Sequence, residues 1–136
     1  MTGAEETRKR IRTRLAEQRS LVSSLLAQRA QLQGSLFVRY GECGKESCTC
    51  RQGQKHGPYY VLSTRSGGKG GFAYLDGRQL EAARSLVTRY RAFRQGLRRL
   101  KKVNLELVDL LRKYQEQISR EGGRRLGLST QKSPTA

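Results

Sequence analysis

The chain has 136 residues, room for one domain. Hydrophobic residues make up only 35% of it and Trp is absent, which excludes a large apolar core; a metal, a disulfide or a partner chain must supply part of the stability. Lys and Arg total 28 against 11 Asp and Glu, a formal charge of +17, so the expected partners are polyanions: DNA, RNA or an anionic membrane.

Thr2-Gly3-Ala4-Glu5 has capping-box form, a hydroxyl followed three residues on by a carboxylate. From there Ile11, Leu15, Val22, Leu25 and Leu32 recur at helical spacings with no Pro or Gly between, which predicts a helix over 3–33 ending at Gly34. Glu5, Glu6 and the basic residues up to Arg14 leave no apolar run there, so the segment is not a secretory signal. Nor does any stretch approach the ~18 apolar residues of a membrane span. The expected location is therefore the reducing cytoplasm, where clustered cysteines point to metal rather than disulfide.

A head of small elements follows over 35–75. Ser35 to Tyr40, Pro58 to Thr64 and Gly71 to Leu75 are rich in strand formers, and Gly67-Gly68 supplies turn glycines between the last two. Two or three antiparallel strands are expected. Between the first two lies Cys43-x4-Cys48-x-Cys50-x5-His56, which gathers every Cys and the only His of the chain. Cys3His is a standard tetrahedral set for a structural zinc ion, and four protein donors leave no open position for catalysis. The competing readings are buried small apolar cysteines, a redox pair and an iron–sulfur cluster. The segment is polar and Gly-rich, the C-x-x-C spacing is absent, and a cluster usually needs a fourth Cys.

Asp76 and Gln79 form a second cap, opening a helix expected over 77–120. Leu86, Tyr90, Phe93, Leu97, Leu100, Asn104, Leu107, Leu111, Tyr114 and Ile118 alternate spacings of four and three, a heptad seam with Tyr90, Leu97, Asn104, Leu111 and Ile118 in its a column. The fold class is thus α+β: two long helices in an antiparallel coiled-coil stalk, with a small zinc-stapled antiparallel sheet inserted between them. One domain spans 1–121, and the Gly-, Ser- and Lys-containing tail over 122–136 is expected to be disordered.

Cys43-Gly44-Lys45, Cys48-x-Cys50, Gly53 and His56-Gly57-Pro58-Tyr59-Tyr60 with a following Leu62 and Gly68-Lys69 resemble a family of small bacterial, archaeal and phage proteins, a domain of unknown function. The family carries CGK-x-x-C-x-C, HGPYY, a hairpin and an arginine-rich helix, and Tyr90-Arg91-x-Phe93 fits its YR-x-F stretch. The resemblance covers roughly Gly34 to Leu111. Glu46 stands where Pro is common after CGK, which leaves the ligands untouched. The resemblance implies that Cys43, Cys48, Cys50 and His56 act as one unit with the Gly57–Tyr60 run, and it implies no activity.

No acid occurs between Glu81 and Glu106, while Arg84, Arg89, Arg91, Arg94, Arg98, Arg99, Lys101 and Lys102 do. One charge sign over that length suggests a polyanion footprint rather than a solvated face. The contact set expected for nucleic acid is Arg84, Arg91, Arg94, Arg98, Lys101 and Lys102 on the helix, with Arg51, Lys55, Arg65 and Lys69 in the head. Tyr59 and Tyr60 point to opposite faces of a strand, so either the more exposed one stacks on bases or both pack the small sheet. Asn104, polar in an apolar seam, sets register, either in a homodimer through the C-terminal helix or against the first helix of the same chain. The helix of residues 77–120 outreaches that of 3–33, which would leave its far end, Leu107 to Ile118, partly uncovered.

The expected function is non-catalytic, zinc-stabilised nucleic-acid binding, with DNA foremost. The alternative is a coiled-coil adaptor for an acidic protein. No carboxylate cluster, nucleophile–base pair or phosphate-cradling loop marks an enzyme, and no membrane or small-molecule partner is expected.

Overall fold

The computed structural model describes residues 2–66 and 69–128. In chain order they form α1 (Gly3–Ala27), β1 (Gly34–Gly41), a short 3-10 turn (Thr49–Gln52), β2 (His56–Ser66), β3 (Lys69–Leu75) and α2 (Gly77–Arg125). Two helices and one three-stranded antiparallel sheet in the order β1-β2-β3 make the chain α+β. The turn expected at Gly67-Gly68 lies outside the described residues, as does the tail beyond Leu128. No helix among the described residues is long and apolar enough to cross a membrane.

Both helix starts are set by capping boxes. Glu5 N–H donates to Thr2 Oγ1 at 3.2 Å and Thr2 N–H returns a bond to Glu5 Oε2 at 3.1 Å. At α2, Asp76 Oδ1 accepts from Arg78 and Gln79 N–H at 2.9 Å, and Gln79 Oε1 accepts from Asp76 N–H at 3.1 Å. The ends differ from the sequence reading. Instead of running to residue 33, α1 stops at Ala27 because the next backbone groups are claimed elsewhere. Leu32 N–H donates to Leu86 O at 3.1 Å, and Gln33 O accepts from Arg65 N–H at 3.2 Å. At the other end, α2 passes through Gly122-Gly123 and closes on Gly127, whose φ is +70°. Leu128 N–H there donates to Gly123 O at 2.9 Å and Gly127 N–H to Arg124 O at 3.0 Å, the paired bonds of a Schellman motif.

The chain divides into two compact units, Gln28–Gln95 and Met1–Ala27 with Gly96–Ala136. In the first, β2 is the central strand. Leu36 pairs with Leu62 and Leu62 with Ala73 across the sheet, so Leu36, Leu62 and Leu75 share one face. That face packs on the first turns of α2: Leu62, Ala83 and Val87 form the buried core, joined by Leu32, Leu36 and Leu75.

In the second unit, α1 lies along the later part of α2 in the opposite direction. Glu17 accepts from Arg99 Nε at 2.8 Å and Gln18 Nε2 donates to Asn104 Oδ1 at 2.7 Å. Arg14 reaches Glu106 at 2.9 Å, and a methyl group on Gly3 would meet Gln117. Thus α1 starts beside Gln117 and ends beside Gly96. The α1 helix therefore reaches the far end of α2, although Leu111 and Ile118 there stay partly exposed. Gly96 permits close approach at that end, since a Cβ there would stand 2.7 Å from Leu25 Cδ2. The Arg99 guanidinium, and after it Arg14, holds the Glu17 carboxyl below its usual range. A lowered carboxyl pKa stabilises the fold above the unfolded range, and this contribution is lost as pH falls through the folded value.

The packed column on α2 also differs from the expected seam. Val103 is 0% exposed, and Leu107 and Leu110 are buried, whereas Leu97, Leu111 and Ile118 of the expected a column are 45%, 51% and 41% exposed. Apolar residues flank the Leu100–Leu107 line on both sides, and spacing alone does not choose between the +3 neighbours Val103 and Leu110 and the +4 neighbours Asn104 and Leu111. Packing chooses the former. Val103→Ala should therefore cost about 2 kcal/mol in chemical denaturation, and Leu111→Ala less than about 0.5 kcal/mol. Equal losses would contradict this assignment.

Candidate metal centre

The loop between β1 and β2 has little apolar material of its own, and its only buried side chain is Cys50, at 1% exposure. Cys43 follows the end of β1, Cys48 and Cys50 enter the 3-10 turn, and His56 opens β2 directly opposite Gly41. The antiparallel pairing of β1 and β2 thus brings the two ends of the loop together. The pairing register shifts between Arg39 and Gly41, an irregularity of the kind that bends a strand.

The four donor atoms all lie within 4.8 Å of one another. Cys43 Sγ and Cys50 Sγ are 3.6 Å apart, and Cys48 Sγ lies 3.0 Å from His56 Nε2. A tetrahedron with metal–sulfur legs of ~2.3 Å has sulfur–sulfur edges of about 3.8 Å, so the spacing fits one ion at the centre. The Cys43 backbone N–H also donates to Cys50 Sγ at 3.3 Å, a contact that favours thiolate. The Cys48 thiol is drawn down to about 6, first by the Cys50 backbone N–H and then by the neighbouring thiols, while burial pushes the Cys50 thiol up. These side chains could hold a metal ion, and no carboxylate belongs to the set.

Gly57, next to His56, is the glycine this geometry most requires. Its φ is +141°, and a Cβ there would sit 2.7 Å from the Tyr40 ring and 2.9 Å from Arg39 O.

The expected contact residues fall in several places. Arg51 and Lys55 are exposed on the metal loop, Arg65 on β2 and Lys69 at the start of β3. Arg84, Arg91, Arg94, Arg98, Lys101 and Lys102 are exposed along α2. At 100° per residue these positions fall on one side of the helix. Arg99 and Arg89 lie off that side: Arg99 bonds Glu17, and Arg89 donates to Ala30 O at 3.3 Å. Tyr60 is half-buried on the core side of the sheet, facing a groove of ≈ 240 Å³ beside Leu80, Arg84 and Arg91, while Tyr59 is on the opposite side and 44% exposed. Asn104, expected in an apolar seam, is exposed and bonded to Gln18, so a single chain already gives its amide a partner.

Sequence reasoning missed Phe37, Arg39, Phe72 and Tyr74, which share the Tyr59 side of the sheet. The i, i+2 pairs Phe37/Arg39 and Phe72/Tyr74 were the available signal.

Residues 5–85 match the family described as Domain of unknown function (DUF6788), and the chain belongs to that family. No curated protein and no solved structure matches it.

Gly57→Ala combines a forbidden backbone angle with a steric overlap, so it should lower stability by at least about 1–3 kcal/mol. Gly44→Ala, in the same loop with nothing within 4 Å of the added carbon, should be near neutral. Thermal melts of the two variants side by side check this, and equal melting temperatures would refute it.

Proposed function

We propose that this member of a family of unknown function is a zinc-stabilised, non-catalytic nucleic-acid-binding protein, with DNA the first candidate partner. Zinc is the ion best suited to three thiolates and an imidazole in a tetrahedron, and four protein donors leave it saturated, which suits a structural rather than a hydrolytic role. When bound, the ion would tie the loop to the ends of β1 and β2. The chain's own groups then do the binding.

The observation that carries the proposal is the row of cations along one side of α2: Arg84, Arg91, Arg94, Arg98, Lys101 and Lys102, with no acid between Glu81 and Glu106. Arg84 does meet Glu81 at 3.1 Å, but both side chains are over half exposed, and such pairs are easily exchanged for another anion. Arg91 also lines a second groove with Arg65 and Tyr90, so helix and sheet cations converge within one unit. Phosphates spaced along a nucleic-acid backbone are the polyanion such a row fits.

A second function, adaptor to a protein partner, is favoured by the exposed apolar residues Leu97, Leu105, Val108, Leu111 and Ile118 of α2. In either case we propose that α1 and α2 pack as an antiparallel coiled coil. Ala4, Thr7, Ile11, Arg14, Gln18, Leu21 and Leu25 on one helix, and Gly96, Leu100, Val103, Leu107, Leu110 and Tyr114 on the other, are the shielded positions at alternating spacings of three and four.

Binding to a DNA probe should weaken steeply with salt. Replacing Arg91, Lys101 and Lys102 by Gln should lower the slope of log K against log salt by roughly two to three, at about 0.9 per lost phosphate contact on duplex, with the melting temperature unchanged. An unchanged slope would overturn the assignment of the α2 face. A flat salt response, together with stoichiometric binding to an acidic helical peptide, would favour the adaptor. Chelation should release about one equivalent of zinc and abolish binding, and added zinc should restore it.

A further inference from the structure

We infer that the side of the sheet turned away from α2 is a platform for single-stranded nucleic acid, on which unpaired bases stack against Phe37, Tyr59, Phe72 and Tyr74. This deepens the nucleic-acid function proposed above and rests on it.

The case begins with strand parity. In β2, Tyr60, Leu62 and Thr64 share the face that packs on α2, so Tyr59, Val61, Ser63 and Arg65 share the other. The register places Phe37 and Tyr74 on either side of Val61, and Ser35 and Phe72 on either side of Ser63. Arg39 pairs with Tyr59, and Arg65 with Gly70. The outer face therefore has Val61 and Ser63 at the middle of the central strand, rings from all three strands around them, and an arginine at each end. No acid lies on it.

The rings are exposed despite their size. Phe37 is 43% accessible, Tyr59 44%, Phe72 74% and Tyr74 60%, while Val61 beneath them is only 3%. In a chain with nine Phe and Tyr in total, leaving these four in water costs burial that the small core could use. Their orientations are also set in advance. Phe37 meets Phe72 edge to face with centroids 6.3 Å apart, Tyr59 meets Tyr74 the same way at 6.2 Å, and Arg39 donates to Tyr74 Oη at 2.8 Å. Rings held in this way lose little conformational freedom when a ligand arrives.

The charge on the face selects the ligand. An apolar protein surface would match the rings but not Arg39 and Arg65. Unpaired nucleotides match both, offering a π-face to each ring and a phosphate to each guanidinium. A duplex hides its base faces inside the stack, and a broad sheet crowned with rings does not enter its grooves as a recognition helix does. The sheet face thus selects single strands, and the α2 row adds sequence-independent attraction.

The test uses the full zinc-loaded chain and fluorescein-labelled single-stranded DNA, single-stranded RNA and duplex DNA of matched sequence, read by anisotropy. At least one single strand should bind tenfold or more tighter than the duplex. The Phe72→Ala/Tyr74→Ala double variant should lose at least about tenfold in single-strand affinity, with its salt slope and its zinc content unchanged. Phe72→Tyr should retain binding. Because the chain has no Trp, quenching of tyrosine emission on adding unlabelled single strand reports stacking directly. Duplex bound as tightly as single strand, or full affinity in the double variant, would overturn the platform while leaving nucleic-acid binding intact. If no probe binds, the proposed function fails and the platform fails with it.

Discussion

The convergence of three sulfurs and one imidazole nitrogen at the end of β1 and β2 is the constraint on which the rest of the smaller-element unit depends. Among the described residues the loop from Gly41 to His56 has one buried side chain, Cys50, and it is itself one of the donors. Hydrophobic burial cannot hold such a segment in one conformation. Four bonds to a single ion can, because the binding free energy then serves as folding free energy. The strand ends, the register shift after Arg39 and the glycine at position 57 are all arranged around that convergence.

A second economy lies in α2. Its first turns give Ala83 and Val87 to the sheet's core, and its later turns give Val103, Leu107 and Leu110 to α1. One 49-residue helix therefore serves two small apolar clusters, which is how a chain with 35% hydrophobic residues covers both a sheet and a second helix. Beyond the turns that pack on the sheet, Arg98, Lys101 and Lys102 are exposed on the side of α2 turned away from the Val103–Leu107–Leu110 column. Tyr90, Arg91 and Arg65 line one groove where helix and sheet adjoin.

The features legible in the sequence are those fixed by local chemistry. Both capping boxes depend on residues three apart, and the Cys43–His56 motif depends on donor type and loop length. What sequence could not supply is what distant parts of the chain decide. Residues 28–33 carry no helix breaker, yet Leu86 and Arg65 draw their backbone out of the helix. Asn104 lies one position from Val103, and only the presence of α1 reveals which of the two columns is packed. The aromatic side of the sheet was hidden for a related reason. Phe37, Tyr59 and the Phe72/Tyr74 pair lie on three separate strands, and they become one surface only once the register across β2 is known.

The central claim is a single zinc ion bound by Cys43, Cys48, Cys50 and His56. X-ray absorption at the zinc edge of the purified protein tests it most directly. The account predicts one first shell of three sulfurs at ~2.3 Å and one nitrogen at ~2.0–2.1 Å, with the nitrogen lost in a His56→Ala variant. A shell of oxygen and nitrogen alone, or a protein that folds fully with no zinc bound, would contradict it.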